Sequence, residues 1–532
     1  MKQMQKMRAL PLALTAMLTF TGCGSNSSMY MPDTAANYEK NDVCYEAADA
    51  EYSSAPEYEY EEDAVEFNTE EYSAITENSF KSVVTDPLST FSADVDTASY
   101  SNLRRMIRDG SRIPADAVRI EEMINYFHYD YPEPQPGEPF SVTTEIADCP
   151  WNPDTKLMRV GMKAKDIDMQ QRKPMNLVFL IDVSGSMYDR DKLPLVQESF
   201  CMLTDELTQN DRVSIVTYAG VDSVVLEGAA GSEGVRIREA IEMLEAGGST
   251  AGAKGINTAY EIAEKYKIEG GNNRVILATD GDLNVGVSSE AGLKDLVEKK
   301  RDKGIFLSVL GFGTGNYKDN KMETLADNGN GNYSYIDSVN EAKRVLVEEM
   351  GGTLVTVAKD VKFQVEFNPA YIKGYRLIGY ENRALAAEDF ADDKKDAGEV
   401  GAGHTVTALY EIADKDSAMA FASSELKYSE GAENGTENGE YCTVSVRYKE
   451  PDGDESMLLT YPVSAETDQQ EMSADMRFAS AVAAFGMVLR ESEYRGSASR
   501  DMVLDLLEQD DFSNDSYKTE FAELVLEADL EL

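Results

Sequence analysis

Between residues 176 and 326 short apolar runs alternate with helical stripes, and on both sides of that stretch the hydrophobic pattern drops to a period of two. Asn176 to Asp182, Arg212 to Tyr218, Arg274 to Thr279 and Ile305 to Leu310 read as strands, and Val224 and Val225 suggest one more. Leu193 to Leu207, Ala253 to Lys267, Leu293 to Arg301 and Lys318 to Ala326 read as helices. Parallel strands are joined only through crossovers, so strands and helices alternating at this spacing call for an α/β fold with a doubly wound, mainly parallel sheet. Before it, Phe140, Val142 and Thr144, then Met158, Val160 and Met162, alternate as antiparallel strands do. After it come Val361 to Phe367, Val406 to Tyr410, Thr443 to Tyr448 and Met457 to Tyr461, with turns at Asn434-Gly435 and Asn438-Gly439. The strands of 138–166 are therefore predicted to pair with those of 355–466, making the α/β domain an insertion in a β-sandwich.

Two helical regions frame this plan. Tyr100, Leu103 and Ile107, then Ile120, Met123, Ile124 and Phe127, fall at helical spacing on either side of Gly110 and Pro114, after an extended stretch from Pro87 to Phe91. At the other end Phe478, Val482, Phe485 and Leu489 line one face of a helix. The resulting division is a signal peptide (1–22), an acidic disordered tether (23–79), a small helical domain (80–137), joining strands (138–170), the α/β domain (171–350), the sandwich (351–466) and a helical segment (467–532). Lys2, Lys6 and Arg8 precede an apolar run from Ala9 to Phe20, too short to span a bilayer and suited to a signal peptide. Its end, Phe20-Thr21-Gly22-Cys23, resembles the bacterial lipobox. That resemblance implies acylation of Cys23 and an extracytoplasmic protein anchored by lipid to the bacterial cell membrane, at the cell surface or in the periplasm.

Charge narrows the partners. The chain has 532 residues, with 50 Lys and Arg against 97 Asp and Glu, a net charge of −47. Residues 24–72 contribute −13 with seven tyrosines and one lysine, the composition of a self-repelling tether. Such a field repels nucleic acid and anionic headgroups, which leaves the lipid as the expected membrane contact. Two histidines, His128 and His404, cannot build a His-rich zinc site and leave little for a Ser-His-Asp triad. No CxxC occurs among the five cysteines; Cys201 falls on a helical stripe, and Cys149 and Cys442 lie in strand-like sequence where an extracytoplasmic disulfide is a weak expectation. Asp94-Val95-Asp96 fits neither a phosphatase loop nor an EF-hand and reads as acids at a helix entry. Gly311-Phe312-Gly313-Thr314-Gly315 and Asp327 to Asn332 read as turns.

The chemistry gathers at predicted strand ends. Asp182-Val183-Ser184-Gly185-Ser186 closes the first strand, Gly247-Gly248-Ser249-Thr250 precedes a helix, and Thr279-Asp280-Gly281 closes the fourth strand. Ligands of doubly wound sheets bind outside the carboxyl ends of the strands, where the order reverses. Carboxylates and hydroxyls are hard ligands suited to Mg²⁺, with Mn²⁺ or Ca²⁺ as alternatives, and Gly185 is expected to let the loop turn sharply. Asp182, Ser184, Ser186, Thr250 and Asp280 resemble the metal-ion-dependent adhesion site of the von Willebrand factor type A domain. Ser89 to Tyr100 and Val118 to Phe127 resemble the N-terminal region of bacterial lipoproteins of that type, and the C-terminal part resembles their domain of unknown function. The resemblance implies a protein-binding module, not an enzyme, in which a partner's Asp or Glu completes the ion's shell. A metal-assisted hydrolase using the same aspartates, or an envelope scaffold with a structural metal, are the other readings; partner identity and oligomeric state stay open.

Overall fold

The strand Met175–Asp182, here β1, is buried at every position, because it runs through the middle of a sheet covered on both faces. The other strands of its sheet are Arg212–Ala219 (β2), Val221–Ala230 (β3), Asn272–Thr279 (β4), Ile305–Phe312 (β5) and Tyr333–Ile336 (β6). The sheet order is β6-β5-β4-β1-β2-β3, parallel throughout except for β3, which returns antiparallel along β2. Leu177, Phe179 and Ile181 point to one layer, with Leu193–Asp205 and Gly234–Glu242. Val178 and Leu180 point to the other, with Gly252–Lys265, Glu290–Arg301 and Asp319–Asn328. The strand order reverses at β1, so the loops after β1 and β4 flank the crevice.

This computed structural model describes residues 70–529 except 94–95, 169–171, 220, 249–251, 282–289, 316, 396, 422–434, 452, 454 and 470. The predicted signal, Cys23, nearly all of the tether and Thr250 lie outside the described residues. Among those described, no helix is long and apolar enough to cross a membrane.

The two flanks meet in a sandwich, as the alternating patterns predict. Lys156–Ala164 pairs antiparallel with Thr405–Asp414, Met162 opposite Val406 and Met158 opposite Tyr410, and Phe140–Asp148 extends that sheet. The facing sheet is built on Thr356–Phe367, Glu440–Lys449 and Ser456–Ser464. Their inner faces share a core of Phe140, Met158, Phe363, Val365, Tyr410 and Val444. The segment read only as extended, Leu88–Ser92, is a strand of this second sheet: Phe91 stands opposite Phe363 with their rings stacked 5.1 Å apart. Its partner lies some 270 residues away, so no local pattern announces it.

The helices of the two ends form one body. Ala98–Arg108 and Ile120–Asn125 share a core with Ala474–Leu489, Arg500–Leu507 and Ser516–Glu527, so the regions 80–137 and 467–532, separate in sequence, are not separate in space. Trp151, from the turn between two strands, is buried in the same core and donates its indole N–H to Glu411 at 2.8 Å. Cys149 belongs to this helical core and Cys442 to the sandwich core; both thiols are free, which removes the expected disulfide. Cys201 packs at the margin of the α/β core. Asp96, just before the Thr97 N-cap of the first flanking helix, also accepts the Tyr333 N–H at 2.8 Å and pairs with Arg383 at 2.9 Å, tying the segment to the α/β domain.

The α/β domain is held to its surroundings by buried ion pairs. Arg104, on the first flanking helix, reaches Asp337 at 2.6 Å and Glu341 at 2.8 Å, just after β6, and Glu520 at 2.9 Å on the last helix. Glu341 also accepts from the Tyr126 hydroxyl at 2.7 Å and from Arg344 at 2.6 Å. Arg119 pairs with Glu122 and, at 2.5 Å, with Asp319. Removing Arg104 takes the guanidinium from the buried Asp337 and leaves Glu341 to Arg344 alone. Arg104→Met is therefore expected to destabilise the protein by about 3–5 kcal/mol in denaturant unfolding, with Arg104→Lys intermediate because a single ammonium cannot serve three carboxylates in fixed directions.

Candidate metal centre

Asp182 is the last residue of β1, and the chain leaves the sheet there through Ser184 into a short turn over Gly185–Tyr188. The Ser184 N–H donates to Asp182 Oδ1 at 2.9 Å, which folds the loop back over the strand end. The Ser184 and Ser186 hydroxyls lie 3.0 Å apart, Ser184 buried and Ser186 exposed. Gly185 donates its N–H to the Gly248 carbonyl at 3.1 Å, and Gly247 donates to Val183 at 2.7 Å. The glycine-rich loop is thus laced to the Asp-x-Ser-x-Ser turn immediately before Thr250, which itself lies outside the described residues. The expected reason for Gly185 needs correcting: its φ is not in the left-handed region, and a Cβ there would touch only Gly248 O, at an ordinary 3.5 Å. What the turn uses at Gly185 is the backbone N–H.

Asp280 follows β4, and Gly281 behind it does need to be glycine: φ is +93° and a Cβ would stand 2.7 Å from Lys318 N. Thr279 donates its hydroxyl to Asp182 Oδ2 at 3.3 Å, and Gly281 donates its N–H to the Thr279 hydroxyl at 3.2 Å. The Thr-Asp-Gly turn is thereby joined to the end of β1. Asp182, Ser184, Ser186 and Asp280 accordingly come from the two loops that flank the switch point. Sequence reasoning missed two residues here. Thr279 braces Asp182, and Lys192 Nζ lies 3.2 Å from Asp280 Oδ2. Lys192 sits in Asp189-Arg190-Asp191-Lys192, whose charge pattern reads as a solvated loop, yet it is buried.

The fit to a cation rests on Asp182. It is fully buried, and its described partners are hydrogen-bond donors rather than a lysine or arginine. Burial pushes its carboxyl up to about 6, with the neighbouring Asp280 charge adding and the Ser184 hydrogen bonds opposing. A buried carboxylate whose described partners are all hydrogen-bond donors, with two hydroxyls and a second aspartate beside it, is an all-oxygen donor set of the kind Mg²⁺ accepts. Among the described residues no group of three or more His, Cys, Asp or Glu side chains converges on a metal site, so a cation here depends on the hydroxyls as well as the acids.

The same burial predicts a stability cost in metal-free protein. The Asp182 carboxyl titrates near 6 when folded and near 3.8 when unfolded, so the folded state binds its proton more tightly and this group costs stability as pH rises through that window. In chelator, Asp182→Asn is expected to be about 2–3 kcal/mol more stable than wild type at pH 7.5 and to lose that advantage by about pH 4, read by thermal or urea unfolding.

Comparison with known proteins agrees with this layout. Residues 176–348 match the von Willebrand factor type A domain, residues 66–159 a region described as von Willebrand factor, and residues 352–530 the C-terminal domain of the uncharacterized protein YfbK. The uncharacterized protein YfbK of Escherichia coli (strain K12) is 42% identical over 472 residues, covering 87% of this chain and 81% of its own. The uncharacterized protein sll0103 of Synechocystis is 32% identical over 185 residues, covering 35% of this chain and 43% of its own. Among solved structures, a von Willebrand factor type A protein from Catenulispora acidiphila covers 75% of this chain and 91% of its own, at 16% identity and a TM-score of 0.42. With its sandwich, its helical body and its inserted von Willebrand factor type A domain, the chain belongs to the family of YfbK.

Proposed function

We propose that the protein binds a protein partner through a divalent cation held by Asp182, Ser184, Ser186, Thr250 and Asp280, with an Asp or Glu of the partner completing the shell. The observation that carries this reading is the buried Asp182, whose described partners are hydrogen-bond donors, beside two hydroxyls at the switch point. Mg²⁺ suits the donors, and neutral hydroxyls in place of further acids would leave it electrophilic toward an outside carboxylate. The surroundings suit a macromolecule: Tyr188, two residues past Ser186, is 81% exposed, and Met243, shortly before the Gly247-Gly248 loop, is 80% exposed. Large apolar side chains presented to solvent around a polar centre are a feature of interaction sites. The function is binding rather than turnover, and a lipid on Cys23 would hold the protein to the outer side of the cell membrane at the end of an acidic tether.

Three measurements test this. Calorimetry should show Mg²⁺ or Mn²⁺ binding to the mature chain, abolished by Asp182→Ala. Envelope proteins crosslinked to the immobilised chain in Mg²⁺ should be lost in EDTA and with Asp182→Ala; metal-dependent hydrolysis abolished by the same substitution would instead make the protein an enzyme. A clickable fatty acid fed to cells should label the wild type and not Cys23→Ser.

A further inference from the structure

Lys192 is placed too deliberately to be a surface lysine. It stands just before the helix Leu193–Asp205, is 7% exposed, and carries its ammonium group to 3.2 Å from Asp280 Oδ2, itself buried. Its aliphatic stem reaches that position by lying across Gly313, the first residue after β5. Gly313 has φ of +73°, and a Cβ there would collide with Lys192 Cγ, Cδ and Cε. The Gly313 carbonyl is fixed in turn by the Tyr335 hydroxyl at 2.8 Å. A turn that the sequence leaves unexplained is therefore a channel for one lysine, leading to one carboxylate of the candidate metal centre.

Charge accounting shows what that lysine does. Asp182 and Asp280 alone carry −2, which a divalent ion would cancel. With the Lys192 ammonium the resident charge is −1, and the loaded centre becomes +1. We infer that Lys192 is a built-in counter-charge of the metal centre, which weakens the binding of the divalent ion and keeps the loaded centre net positive, so that an external carboxylate is still attracted. The inference rests on the metal-binding reading given above and adds a specificity-determining residue to it. The effect matters in this chain because the net charge of −47 repels any acidic partner at long range, and the attraction must come from the few ångströms around the ion. Without metal the same centre is net negative and repels the carboxylate, so the lysine shifts both states by one charge toward a clean change of sign.

The test separates charge from packing because the two predicted effects run in opposite directions. Lys192→Gln and Lys192→Met keep most of the stem against Gly313 and remove the charge. Both are expected to bind Mn²⁺ about tenfold more tightly than wild type by calorimetry, as expected for deleting a like charge near a cation in a partly buried site. Both should at the same time bind acetate at the Mn²⁺-loaded centre several-fold more weakly, followed by the relaxation of water protons around Mn²⁺. Lys192→Arg should restore both wild-type values. Variants that melt like wild type but bind Mn²⁺ equally well or less well would overturn the inference while leaving the metal centre standing. A wild-type chain that binds no Mn²⁺ would overturn the metal-binding reading and this inference together.

Discussion

The guanidinium groups of Arg104 and Arg119 are the rivets of this molecule. Both start on the N-terminal helices and end among carboxylates of the α/β domain, Asp337 and Glu341 for one and Asp319 for the other. An apolar interface of the same extent would tolerate sliding; paired forks of hydrogen bonds fix orientation as well as distance. Asp319 opens the helix that directly follows Lys318, and Lys318 is the residue against which Gly281 is packed. The floor of the Thr-Asp-Gly turn is thus next in sequence to a buried ion pair with the flanking body, which braces the candidate centre from outside its own domain.

Within the centre, local stability and function pull apart. Asp182 is buried where a neutral residue would serve the metal-free fold better, and it is braced by Thr279 and the Ser184 backbone rather than neutralised. Asp280 differs in having Lys192 beside it, so the two acids of the pair are not equivalent.

Much of this could be read from the sequence, for identifiable reasons. β1, β2, β4 and β5 are continuous apolar runs because both faces of a parallel sheet are covered, and the residues that end them are polar because they stand at the sheet's rim. Asp182, Ser184, Ser186 and Asp280 follow from that placement. The sandwich pairing was readable from alternation on both flanks, because one face of each strand is turned to the core. What escaped were features decided by distant chain: Leu88–Ser92 becomes a strand only when Thr356–Phe367 arrives, and Asp96 finds its partners at Tyr333 and Arg383. Trp151, in the turn between two strands, is buried in a core whose C-terminal helices begin more than 300 residues later. Lys192 was hidden by acidic neighbours and by a glycine turn whose purpose appears only when the stem crosses it.

The shared core of the two chain ends bears on how the protein is born. Ala98–Arg108 and Ile120–Asn125 bury their apolar faces against helices that begin at Ala474, so these early segments have no complete shelter until the chain from Ala474 onward has been made. The inserted domain between Met175 and Leu354 has its own layered core and can close while the outer shell is still waiting. In that order, the sandwich and helical body would join around an already folded α/β domain. Chains cut short before the last helices would carry the layered α/β domain on a frame whose apolar helix faces lack their cover.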